Sequence, residues 1–171
     1  MRAVSWIPAL GSLAVALLIA AGADAHVDVT VTARAACSAA PPPTDPIVAA
    51  LEFLTGAVER RDLPASFRLA TPELRHGISC QAWIAGRVPV AAFRDIDWTR
   101  TSYRVVAGGD RQVVLRVVLF AIHRPAREAR AFLLDLREGE HERGRGWRVG
   151  MMFRVPLQRD DLPASRVSEG G

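Results

Sequence analysis

A chain of 171 residues and 18.6 kDa has room for one domain plus attachments. Half of the residues are hydrophobic and the formal net charge is only +4, which excludes an intrinsically disordered chain. All 22 basic residues are arginine, against 18 acidic ones, so the pI of about 10.3 reflects a small excess of a very strong base rather than a nucleic-acid footprint.

The N-terminus carries the export signal. Between Arg2 and Asp24 no residue is charged, and Leu10 to Ala20 forms an apolar run behind the single positive charge of Arg2. Ala23-Asp24-Ala25 supplies the small residues that signal peptidase requires, which predicts cleavage before His26. Residues 1–25 are therefore expected to be a signal peptide; the alternative is an uncleaved membrane anchor, weakened by Pro8 and Gly11. This is the one stretch long and uncharged enough to enter a bilayer, so a multi-pass membrane protein is excluded. Either reading places the rest of the chain outside the cytoplasm. Cys37 follows Arg34-Ala35-Ala36, which does not form a lipobox. In an exported chain Cys37 and Cys80 can form a disulfide, the alternative being a buried Cys80 and a free Cys37 thiol.

Residues 26–43, ending in Ala39-Ala40-Pro41-Pro42-Pro43, read as an Ala/Pro-rich linker. A domain is expected over 44–158. Asp45-Pro46 starts a helix whose apolar stripe of Ile47, Ala50, Leu51, Leu54 and Val58 runs to about Arg60, with Glu59 off the stripe. Asp62-Leu63-Pro64 begins a shorter helix, Thr71-Pro72-Glu73 caps another that Gly77 ends, and Ser79 caps a last turn carrying Trp83. The period then changes. Residues 98–106, 113–123, 129–137 and 147–155 read as four strands at hairpin spacing, with a loop from Gly139 to Gly146. In the last strand, alternation puts Trp147, Val149, Met151, Phe153 and Val155 on one face, and Arg148, Gly150, Met152 and Arg154 on the other. Residues 159–171 read as a flexible tail. Helices followed by an antiparallel meander define an α+β domain, N-terminal helices packed on a curved antiparallel sheet.

This order resembles the NTF2-like superfamily, and in particular small exported proteins of actinobacterial type. The resemblance is carried by Ala57-Val58-Glu59-Arg60-Arg61-Asp62, Leu69-Ala70-Thr71-Pro72-Glu73-Leu74-Arg75, Trp83-Ile84-Ala85-Gly86-Arg87-Val88-Pro89-Val90 and Gly146-Trp147-Arg148-Val149. It implies a cone with a pocket between helices and sheet, and dimerisation through the outer face of the sheet. It implies no particular activity, because this fold hosts isomerases, dehydratases and non-catalytic binding domains.

Catalysis in such a cone calls for an acid–base pair, since a desolvated carboxylate exchanges protons near neutrality. Asp135, which interrupts the apolar run from Phe132 to Leu136, is the leading candidate, with His123 or His76 as partner and Tyr103 as a hydrogen-bond donor. Alternation puts Asp135 with Ala131, Leu133 and Arg137, and the competing reading is a strand aspartate paired with a neighbouring arginine. Asp95 and Asp97 suit a loop better. No metal is expected: His26, His76, His123 and His141 lack ligand spacing, and His141-Glu142 is followed by Arg145 where a zincin needs histidine. No nucleophile elbow or phosphate loop occurs, so no cofactor is expected. Trp83, Trp147 and Met151 are the candidate pocket-lining residues, with core anchoring as the competing role.

Arg100, Arg104, Arg148 and Arg154 fall on alternating strand positions and would form a basic patch if they shared one face, close to a membrane or an acidic partner; the competing role is solubility and edge protection. The expected function is a non-catalytic exported domain that binds a partner protein or a small apolar ligand in the cell envelope. The alternative is a cone-pocket isomerase or hydratase using Asp135 with a histidine. Nucleic acid is not an expected partner.

Overall fold

The computed structural model describes residues 37, 40–141 and 144–162. The segment 1–25, on which the signal-peptide and anchor readings rest, lies outside the described residues. Four short helices come first: α1 (Pro46–Phe53), α2 (Leu63–Leu69), α3 (Pro72–Arg75) and α4 (Cys80–Ile84). Four strands follow: β1 (Ser102–Gly109), β2 (Gln112–Leu119), β3 (Arg130–His141) and β4 (Gly144–Val155). The strands form one antiparallel sheet in the order β1-β2-β3-β4, so the domain is α+β as expected.

The helix starts obey their capping residues. The Asp45 carboxylate accepts from the Ile47 and Val48 amides at 2.7 and 3.2 Å, and Pro46 occupies the first turn where no amide is needed. Asp62, Thr71 and Ser79 repeat the arrangement by accepting from Ala65, Leu74 and Ala82. The expected single helix from Pro46 to Arg60 is corrected: α1 passes at Leu54–Val58 into a π-helical turn. That wider turn advances the chain by less than 100° per residue, so Ala57, Val58 and Glu59 are all buried and Glu59 joins the interior instead of the solvent face. Arg60 then turns left-handed at φ 67° and donates to the Ala57 and Val90 carbonyl oxygens. Gly56 sits where the π turn meets α2. A Cβ there would come within 2.7 Å of the Ser66 Cβ and closer still to the Asp62 carbonyl oxygen.

The helices cover one face of the sheet. Leu115, Val117, Leu119, Phe132, Leu134, Leu136, Trp147 and Val149 point into a core shared with Phe53, Leu54, Val58, Leu69 and Trp83. The opposite, outer face carries Val114, Arg116, Val118, Ala131, Leu133, Asp135 and Arg137.

Several strand expectations change: β1 begins at Ser102 rather than 98 and runs through 107–109, read as a turn, and β2 ends at Leu119 rather than 123. The loop predicted from Gly139 to Gly146 is largely a continued ladder, with Gly139 opposite Gly146 and His141 opposite Gly144. The expected alternation along β4 is also broken. Asp135 pairs with Met151 but Leu136 pairs with Val149, so one extra residue, Gly150, is accommodated as a bulge. Past the bulge the faces exchange. Trp147 and Val149 face the helices, whereas Met151 and Phe153 face outward opposite Asp135 and Leu133.

Segments read as linker and tail close the domain. Cys37 and Cys80 form a disulfide with a Cα separation of 6.3 Å, tying residue 37 to the start of α4. Pro42 is buried, and the Pro43 carbonyl accepts from the Trp147 amide at 2.8 Å. The free edge of β4 is thereby covered around Gly146, whose missing side chain admits Pro42. Beside it, Thr71 donates to the Val149 carbonyl at 2.9 Å. The tail expected from residue 159 is corrected over its first residues. Arg159–Asp161 forms a 3-10 turn whose Asp161 carboxylate grips Arg116 on the outer face, Nε–Oδ1 2.9 Å and Nη2–Oδ2 2.5 Å.

Candidate functional site

Among the described residues, the candidate acid and bases Asp135, His123 and His76 lie outside the core between helices and sheet. The large side chains between helices and sheet, Phe53, Leu54, Leu69, Trp83, Leu134 and Leu136, are fully buried against one another. Trp83, a candidate pocket residue, is one of them: its ring meets Phe67 edge-on at 5.7 Å and its Nε1 donates to Ser66 Oγ at 3.0 Å. This is core anchoring, with the indole N–H satisfied as burial demands. Trp147 is buried in the same core, while Met151 stands half exposed on the other side of the sheet. The three pocket candidates do not line a common site.

Asp135 lies on the outer face. It is shielded by its neighbours rather than by the helices: Gln112 Nε2 donates to Oδ1 at 2.6 Å and Arg137 Nε to Oδ2 at 2.9 Å. Gly150 keeps the space above them open, since a Cβ there would sit 3.3 Å from Arg137 Nε and 3.4 Å from Asp135 Oδ2. The geometry is that of a strand aspartate clasped by a neighbouring arginine and amide. His123 is exposed in the turn after β2, in a left-handed conformation. Asp135 pairs with Val114, and five strand steps separate Val114 from Leu119 before the chain reaches that turn, about 17 Å at the strand rise. Tyr103 pairs with Val117, on the side of the sheet opposite Asp135, and is exposed at the β1 edge. His76 is exposed at the left-handed end of α3. Asp95 and Asp97 lie in the segment entering the sheet, where Asp97 caps Thr99 at 2.6 Å; hydrogen bonds from the Thr99 hydroxyl hold its carboxyl below the usual range.

The four arginines of the expected patch disperse. Arg100 lies over the Phe120 ring at 4.7 Å, and Arg104 donates to Gln158 Oε1 at 2.6 Å. Arg148 pairs across the ladder with Arg137 on the outer face, but the β4 bulge puts Arg154 opposite Phe132, on the helix side.

Sequence reasoning missed three charged groups that the fold buries, Glu59, Arg116 and Asp161. Glu59 accepts from the Ile96 amide at 3.2 Å and Trp98 Nε1 at 3.3 Å, and pairs with Arg61 at 2.7 Å, so it pins the strand-entry segment to the end of the π turn. Arg116, in the middle of the apolar β2 run, is neutralised by Asp161; the mutual hydrogen bonds raise the Arg116 pKa and lower that of Asp161. An arginine inside an otherwise apolar central strand was the available signal for a buried partner.

The exposed apolar surface is the remaining feature of the outer face. Met151 and Phe153 are 49% and 46% exposed, beside half-buried Leu133 and Val114. Segment 156–162 roofs the neighbouring part, where Leu157 packs on the cluster of Val118, Phe120, Ala129 and Ala131 and where Asp161 and Pro156 hold Arg116, leaving Met151 and Phe153 uncovered. Among the described residues no group of three or more histidine, cysteine, aspartate or glutamate side chains could hold a metal, and no helix is long and apolar enough to cross a membrane. Comparison with known proteins finds no matching family model, curated protein or solved structure.

Proposed function

We propose that the chain is an exported, non-catalytic NTF2-like binding domain that works through the outer face of its sheet, where it receives a second copy of itself. The carrying observation is the exposed Met151–Phe153 pair on a face left open by both the helices and segment 156–162. A two-fold axis through this strip would bring like apolar side chains together, the self-complementary contact of an isologous interface. The disulfide accords with an oxidising compartment outside the cytoplasm, and the order of helices then antiparallel meander accords with the NTF2-like resemblance. A small apolar ligand between helices and sheet has less support, because large side chains occupy that space. An isomerase or hydratase has less support again, because Asp135, His123 and Tyr103 stand apart.

Sedimentation equilibrium of the chain from residue 26 onward tests this. A dimer at about 50 μM is expected for the natural sequence, an affinity within reach of a modest apolar interface. Phe153→Asp should be monomeric with an unchanged circular dichroism spectrum, whereas Val48→Asp, on exposed α1, should stay dimeric. A monomer at every concentration, or equal loss in both variants, overturns the reading.

A further inference from the structure

At the end of the sheet remote from the β1–β2 turn lies a cleft of about 550 Å³, far larger than one oxyanion and within the size range of small-molecule sites. Three separate stretches build it: residues 92–95, the β2–β3 connection through Arg130, and Arg154 of β4. Five arginines line it, Arg94, Arg124, Arg127, Arg130 and Arg154, against two carboxylates, Asp95 and Glu128, an excess of three positive charges.

Few of these charges are neutralised by the protein. Arg124 meets Glu128 in an exposed pair at 3.4 Å, and Arg130 stacks over the Phe93 ring at 5.1 Å. Among the described residues no carboxylate pairs with Arg94, Arg127, Arg130 or Arg154. Clustered guanidinium groups repel one another, whereas Arg61, Arg116, Arg137 and Arg145 each have a carboxylate within 2.9 Å. The cleft walls are nevertheless held firmly. Ile122 donates to the Asp95 carbonyl at 2.8 Å, Asp97 to Phe120 at 2.7 Å, Glu128 to Pro125 at 2.9 Å and Phe93 to Val58 at 3.0 Å. Asp95 and His123, flanking the junction, are both left-handed, at φ 55° and 59°. Ala92, Ala121 and Ile122 supply small or apolar lining between the charges.

We propose that this cleft binds a small organic oxyanion carrying at least two negative charges, gripped by Arg94, Arg127, Arg130 and Arg154 with its carbon skeleton against Ala121 and Ile122. The planar guanidinium fork matches phosphate and carboxylate alike, so both are admitted by the shared chemistry. The site is independent of the outer face, because Arg130 and Arg154 lie on the helix side of the sheet, opposite Leu119 and Phe132.

Calorimetric titration at low ionic strength tests the proposal, with inorganic pyrophosphate in one arm and citrate in the other. At least one is expected to bind with one-to-one stoichiometry below about 1 mM. The double variant Arg127→Gln/Arg154→Gln should weaken that binding about tenfold or more, while Arg87→Gln/Arg111→Gln, which removes the same charge from exposed positions outside the cleft, should change it less than about twofold. Tighter pyrophosphate binding identifies a phosphorylated ligand and tighter citrate binding a polycarboxylate. Failure of both probes, or equal weakening by the two double variants, overturns the proposal.

Discussion

Removing the disulfide should cost this domain a large share of its stability. The Cys37–Cys80 bond joins residues 43 apart in sequence. Opening a loop of that length releases chain entropy worth about 4 kcal/mol at 25 °C. With an unfolding entropy of about 2.1 cal/mol/K per residue, a folded unit of about 120 residues would lose about 16 °C in Tm. The structure adds a local consequence. The bond fixes residue 37 beside α4, and the chain from there runs to Pro42 and Pro43 on the β4 edge, where the Pro43 carbonyl holds the Trp147 amide. Scanning calorimetry of Cys37→Ser/Cys80→Ser and of the natural chain under reductant should therefore give the same lowered Tm, with a red-shifted tryptophan emission as Trp147 loses its cover. A shift under about 3 °C, or titratable thiols in the native oxidised protein, would refute both the bond and the role assigned to it.

Three further outcomes are expected. Asp161→Asn strands the Arg116 guanidinium under a single layer of chain, where solvent screening is partial, and should cost about 1–3 kcal/mol at neutral pH in urea unfolding. Because Arg116 lowers the Asp161 pKa in the folded state, this stabilisation is present above the unfolded value of about 3.9 and is lost as pH falls through the folded pKa; the natural chain and the variant should converge in acid, and a constant gap between them would exclude the linkage. Gly56→Ala forces a Cβ against the Asp62 carbonyl and Ser66, and should cost about 1–3 kcal/mol, whereas Gly109→Ala, with open space around it, should stay within about 0.5 kcal/mol. Glu59→Gln retains one acceptor for two donors, so it should cost about 1–3 kcal/mol and shift Trp98 emission; an unchanged spectrum and Tm would show that the carboxylate does not hold the strand-entry segment.

Much of the architecture was legible because it rests on local signals. Asp45, Asp62, Thr71 and Ser79 each compete for backbone amides three residues on, so their helix starts appear in the chain itself. The candidate site was less legible. Asp135 is placed on a face with Arg137 by simple alternation, and the structure agrees, but which face meets the helices depends on pairing partners far away in sequence. The exchange of faces along β4 was hidden altogether, since a one-residue bulge at Gly150 needs the opposite strand to exist.

The same division holds for the protein as a whole. Composition, capping residues and hydrophobic period by themselves determine one α+β domain with its helices ahead of its strands, because these act over a few residues. Only the tertiary structure decided that Cys37 reaches Cys80, that Asp161 neutralises Arg116, that Glu59 turns inward, and that Arg94, Arg127, Arg130 and Arg154 gather around one cleft. Each joins groups that lie far apart in the chain or depends on a turn geometry no local pattern announces, so its energy exists only once the sheet has set the register.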